Sequence, residues 1–141
     1  MSERFQNPSA DEIRALLQRI ETIAVVGLSP RPYRPSHGVA KALRRFGYRV
    51  IPVNPNAEEI FESRSYPDLP SVPIPIDLVD VFRAPDHVAG IVDQCIELKL
   101  PALWLQDGVI DEQAARRAQA AGILVVMNRC IYRDYVQLLQ G

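Results

Sequence analysis

The chain has 141 residues, of which 48% are hydrophobic and 23% charged, and its formal net charge is -1. That length fits one domain with a sizeable core, and the ordinary composition excludes disordered and fibrous classes. A charge this close to zero offers no global attraction for nucleic acid or an anionic membrane surface, so neither is an expected partner. No apolar run approaches the roughly 20 residues that span a bilayer. Residues 1–4 are not followed by the apolar stretch of a secretory signal, and a cytoplasmic location is the expectation. Cys95 and Cys130 are too few and too distant for a disulfide framework or a zinc site.

In chain order, Ser9-Ala10-Asp11-Glu12 has the form of a capping box. Ile13, Leu16, Leu17 and Ile20 follow with helical spacing, which predicts a short amphipathic helix on the outside of the domain. Residues 23–26 are a brief, β-branched apolar run, predicting a buried strand that ends at Gly27. A basic, proline-rich loop carrying Arg31 and Arg34 comes next. Ser36 is the predicted N-cap of a helix whose apolar positions are Val39, Ala40, Leu43 and Phe46, with Gly47 as its stop. A strand–loop–helix unit of this kind points unpaired amides and a positive dipole end at the space above the strand. With two arginines beside that space, a phosphate is the expected guest.

Residues 48–53 form the second predicted strand, and Pro52 assigns it to an edge or a strand end because it removes a ladder donor. Asn54-Pro55-Asn56 supplies turn chemistry. Residues 58–75 read as irregular, with a helical turn near Asp68. A third strand over 78–82 leads through Pro85 into a helix with the apolar stripe Val88, Ile91, Val92, Cys95 and Ile96. A fourth strand over 102–105 ends in Gln106-Asp107-Gly108. Asp111 caps an alanine-rich helix that stops at Gly122, residues 123–127 form a fifth strand, and 132–139 a final helix. The alternation predicts an α/β chain: a Rossmann-like open parallel sheet of about five strands with helices on both faces, plus the N-terminal helix.

In such a sheet ligands bind beyond the carboxyl ends of the strands. That rule selects residues 27–36, 54–56, 82–84, 106–108 and 128–130. The pattern G-x-G-x-x-G and an acid after the second strand, which dinucleotide folds use, are both absent, and Asn54-Pro55 stands where the acid belongs. Binding of NAD(P) or another nucleotide by a sensor is therefore a second alternative only.

The segments Ile23-Ala24-Val25-Val26-Gly27-Leu28-Ser29, Arg34-Pro35-Ser36, Pro52-Val53-Asn54-Pro55, Asp80-Val81-Phe82-Arg83, Trp104-Leu105-Gln106 and Val125-Val126-Met127-Asn128-Arg129-Cys130 together resemble the small stand-alone CoA-binding proteins. Their fold is similar to the CoA-binding domain of the succinyl-CoA synthetase α subunit. The resemblance implies coenzyme A or an acyl-CoA as cofactor. It sets Gly27, Ser29, Arg34, Pro35 and Ser36 against the phosphates, and Val53, Asn54 and Pro55 near ribose and adenine, with Phe82 and Arg83 beside them. Leu28, Arg31 and Gln106, from the same strand ends, complete the candidate binding residues. Coenzyme A carries a pyrophosphate and a ribose phosphate, so arginine suits that site better than the carboxylate that free hydroxyls prefer.

No nucleophile–base–orienter set can be assembled from two histidines and two cysteines, which favours a binding or regulatory module over an enzyme. The alternative is the CoA-binding subunit of an acyl-CoA ligase or transferase, working with a ligase partner chain that brings the phosphorylated histidine for which 141 residues leave no room. Lys41, Arg44 and Arg45 read as solvated surface, His37 as an exposed histidine, and Asp80 as a hydrogen-bonding partner of a neighbouring loop. Tyr132 and Tyr135 fit either a homodimer contact or helix packing. Cys95 belongs to the core. Cys130 lies beside Arg129 and near a helix start, surroundings that favour thiol reactivity. A mixed disulfide with the cofactor is the sharp reading of Cys130, and a small buried filler the preferred one.

Overall fold

The computed structural model describes residues 4–141, so Met1, Ser2 and Glu3, part of the argument against a secretory signal, lie outside the described residues. Helix α1 (Ala10–Arg19) starts with the expected reciprocal box: Ser9 Oγ accepts from Glu12 N–H at 3.2 Å, and Ser9 N–H donates to Glu12 Oε1 at 3.0 Å. Strand β1 (Thr22–Val26) is buried along its whole length. Helix α2 (Pro35–Arg45) follows, and Gly47, with φ of 106°, turns the chain out of it into β2 (Arg49–Val53). Two short strands, β3 (Glu59–Ile60) and β4 (Ser63–Arg64), pair antiparallel. The expected helical turn is a 3-10 segment, Leu69–Ser71, capped by Asp68. Strand β5 (Leu78–Val81), helix α3 (Val88–Glu97), strand β6 (Ala102–Leu105), helix α4 (Glu112–Ala120), strand β7 (Leu124–Met127) and helix α5 (Ile131–Tyr135) complete the series. The last turn continues as a π-helix, Val136–Gln140.

Five strands form one parallel sheet in the order β2-β1-β5-β6-β7. Each strand offers alternate side chains to opposite faces, and both faces are covered. One layer holds Val79, Val81, Leu103 and Leu105 under α3 and α4. The other holds Ile23, Val25, Leu78 and Trp104 under α1, α2 and α5. Pro52 lies, as its missing N–H requires, in the edge strand β2. The opposite edge, β7, is closed by a side chain: Asn7 Oδ1 accepts from Met127 N–H at 2.8 Å, and Asn7 Nδ2 donates to Met127 O at 3.0 Å.

Four expectations need correction. Residues 58–65 contain the β3–β4 hairpin, whose turn is made by Phe61 and Glu62, both at positive φ (56° and 60°). Ser36 is not a cap: Arg34 is, and Pro35 occupies the first turn. His37 is half-buried against Phe61, ring centroids 4.5 Å apart. Asp80 reaches no loop. Its carboxyl is fully buried in the sheet with no hydrogen-bond partner among the described residues. The aromatics at the chain's end pack internally, Tyr135 stacking on Phe46 at 3.8 Å, while Tyr132 is partly exposed.

Candidate functional site

The chain runs outward from β1 to β2, then returns to β5 on the other side of β1. Connections therefore leave the carboxyl ends of β1 and β5 in opposite directions, which opens a crevice between them. A cleft of about 920 Å³ lies there. Gly27 forms its floor with φ of 86°, and a Cβ at this position would stand 2.6 Å from the Phe82 carbonyl oxygen. Only glycine fits both the conformation and the contact. Its N–H donates to Val53 O at 2.9 Å.

The loop after Gly27 is anchored at both ends. Asn54 Nδ2 donates to Leu28 O at 2.9 Å, while Asn54 Oδ1 accepts from Asn56 N–H at 2.8 Å and closes an Asx turn. Ser36 Oγ accepts from Ser29 N–H at 3.0 Å, so the serine expected as a cap is a buried tether between loop and helix. Helix α2 begins at this wall, which brings the positive end of its dipole to the cleft.

Three guanidinium groups, those of Arg31, Arg34 and Arg83, line the cleft. Among the described residues none of the three has a carboxylate partner. The one carboxylate on the lining, Asp107, is engaged by Arg133 through bonds of 2.8 and 3.0 Å. Those hydrogen bonds hold Asp107 below the usual carboxylate range. The cleft is thus a local cationic site on a chain of nearly neutral total charge.

The wall at β6 and β7 is cross-braced. Asn128, at φ of 60°, accepts from Gly108 N–H at 2.9 Å. The buried Gln106 accepts from Ile131 N–H at 3.2 Å, and Trp104 Nε1 donates to Arg129 O at 2.8 Å. Arg129 grips the buried Asp134 by two bonds of 2.6 and 2.8 Å, and its pKa rises with that hydrogen bonding. Cys130 stands on this wall, half-buried and facing the cleft rather than filling the interior. Cys95 is buried, and burial pushes its thiol up to about 12. Among the described residues no group of three or more His, Cys, Asp or Glu could hold a metal ion.

Of the residues singled out from sequence, Gly27, Ser29, Arg31, Arg34, Pro35, Ser36, Asn54, Pro55, Phe82, Arg83 and Gln106 line this one cleft. Leu28 and Val53 do not: their side chains are core, and they serve through backbone carbonyls beneath the floor. The lining also includes Pro30, Val39, Asn56, Asp107 and Val109. The strand-end rule marks the segments holding Pro30, Asn56 and Asp107. Val39 and Val109 carry no signal that separates them from ordinary core valines.

A Rossmann-like sheet with a cationic crevice at its switch point defines a class of nucleotide-binding folds. The model of the CoA binding domain family matches residues 21–135, and the chain belongs to that family. The uncharacterised protein YneT of Bacillus subtilis is 42% identical over 127 residues, covering 90% of this chain and 94% of YneT. A solved structure of a hypothetical protein from Pyrococcus horikoshii superposes with a TM-score of 0.91 at 35% identity, covering 99% of each chain. An ADP-forming acetate–CoA ligase (I) of Archaeoglobus fulgidus is 31% identical over 121 residues, 79% of this chain but only 18% of the ligase. No helix among the described residues is long and apolar enough to cross a membrane.

Proposed function

We propose that this protein is a single-domain cytoplasmic module that binds coenzyme A or an acyl-CoA in the cleft, as a binding or regulatory protein rather than an enzyme. The observation that carries the reading is the convergence of Arg31, Arg34 and Arg83, none with a carboxylate partner among the described residues, on the glycine floor at the β1–β5 crevice. Three permanent cations near the positive end of the α2 dipole suit a ligand with a pyrophosphate and a further phosphate. Asn54 at the end of β2 disfavours NAD, whose ribose hydroxyls call for an acid there. Membership of the CoA-binding family supports the same ligand.

A thermal-shift panel of coenzyme A, acetyl-CoA, NAD, NADP and ATP tests this, because a ligand held only by the native state raises the melting midpoint. Coenzyme A is expected to raise it more than NAD does, and Arg34→Ala to shrink that rise. Equal shifts from coenzyme A and NAD would refute the assignment. A second reading, the CoA-binding subunit of an acyl-CoA ligase, draws on the likeness to the acetate–CoA ligase. It requires a partner chain, which co-purification or a gel-filtration shift would reveal; a homodimer would appear in the same experiment.

A further inference from the structure

We propose that His87 is a positioning residue for the cleft, holding the Arg83 guanidinium while neutral and releasing it to the anionic ligand when protonated. The inference rests on the coenzyme A reading of the cleft and adds to it a proton taken up at His87 on binding.

Arg83 leaves β5 across the floor of the cleft. A Cβ at Gly27 would stand 2.9 Å from Arg83 Cδ, so the stem of the side chain lies on the glycine. Pro85 then starts a 3-10 turn, Pro85–His87, in which His87 N–H donates to Ala84 O at 3.0 Å. The turn carries the exposed His87 ring back to Arg83, whose Nη2 lies 3.0 Å from Nε2 and 3.3 Å from Nδ1 of that ring. A guanidinium can only donate, so the contact requires a neutral imidazole with a free lone pair. An imidazolium has none, and protonation sets two cations against each other.

No neighbouring carboxylate offsets that repulsion. Asp86 precedes the ring in the same turn without pairing to it, and Asp93 of α3 is engaged by Arg117 of α4, which also donates to Ala89 O at 3.2 Å. Across the cleft Asp107 is held by Arg133. Among the described residues no ion pair reaches His87 or Arg83. A bound phosphate is the anion that compensates both: it draws the guanidinium off the ring through stronger, charge-assisted bonds and leaves the ring free to take a proton. By linkage, a ligand that favours the protonated ring binds more tightly where the ring is protonated. Histidine changes charge between about pH 5 and pH 8, so affinity should rise as pH falls through that range.

Calorimetry with coenzyme A at fixed ionic strength, from about pH 8 to about pH 5.5, tests this on the wild type and His87→Gln. The ratio of the two affinities cancels the ligand's own phosphate titration and that of His37, the only other histidine. It is expected to grow about fivefold in favour of the wild type as pH falls, the scale of one exposed charge interaction. His87→Lys, whose cation is permanent, should bind coenzyme A more tightly than the wild type at about pH 8. In Arg83→Ala the acid gain conferred by His87 should shrink, because no guanidinium is left to release. A ratio that stays constant or falls with acid, no tightening in His87→Lys, or an undiminished gain in Arg83→Ala overturns the role of His87 and leaves the cleft assignment standing. Failure of the wild type to bind coenzyme A at any pH overturns both.

Discussion

Asp80 is the strongest anomaly in the core, and replacing it by asparagine should change how stability depends on pH. The residue sits in β5, between Val25 of β1 and Trp104 of β6 in register. Its carboxyl is fully buried, both oxygens lack partners among the described residues, and the same-face neighbours are apolar side chains of the layer under α1, α2 and α5. Burial without a compensating donor raises its pKa well above the ordinary 3.8. The folded state therefore keeps a proton that the unfolded state releases above about pH 4. Because the native state binds the extra proton, stability falls as pH rises through that window, by about 1.4 kcal/mol per pH unit until the buried group itself ionises.

The Asp80→Asn variant would keep the shape, remove the titration, and leave one amide without a partner, at a cost of roughly 1–3 kcal/mol independent of pH. Urea denaturation of both proteins from pH 5 to pH 9 measures the difference. Asp80→Asn is expected to show the flatter profile and to gain on the wild type as pH rises, because only the wild type gives up a buried proton. Parallel profiles would show that Asp80 is not held as a neutral acid, and the burial argument would fail.

Other consequences concern the cleft and its walls. Gly27→Ala should destabilise the fold by about 2 kcal/mol or more, since a left-handed φ and a backbone clash coincide there; thermal unfolding checks it. Arg129→Ala should cost more, about 3 kcal/mol, than Asp134→Asn, about 1 kcal/mol, because the first leaves a buried carboxylate unpaired and the second leaves a partly exposed guanidinium that water can solvate. Equal losses in urea denaturation would contradict that asymmetry. In the native state a thiol reagent should label Cys130 on the cleft wall and spare Cys95, and coenzyme A should protect Cys130. Mass spectrometry reads both, and labelling of Cys95 at the same rate would count against the packing described.

The parts of the fold that follow local rules were legible in the sequence. Ser9 and Glu12 announced α1, Pro52 marked an edge strand, and Gly47 and Gly122 marked helix ends because only glycine takes their backbone angles cheaply. The strand-end rule found most of the cleft lining for the same reason: topology decides where loops gather. The β3–β4 hairpin was hidden because Phe61 and Glu62, at left-handed angles, replace the asparagine and glycine that usually signal such a turn. Ser36 misled because serine before an apolar period reads as a cap, whereas the helix starts two residues earlier than that cap implies, at Pro35, and the hydroxyl is free to hold the loop. Nor could the isolation of Asp80 be read from a pattern, since it depends on what packs against the strand from both neighbours and the helices above.

The proposed function stands or falls with a polyphosphate cofactor in the cationic crevice beyond β1 and β5. A crystal structure of the protein grown with saturating coenzyme A tests it most directly. Density for the cofactor across the Gly27 floor, with phosphate oxygens within hydrogen-bond distance of Arg31 or Arg34, is the predicted result. A vacant crevice, or coenzyme A bound elsewhere on the surface, would contradict it.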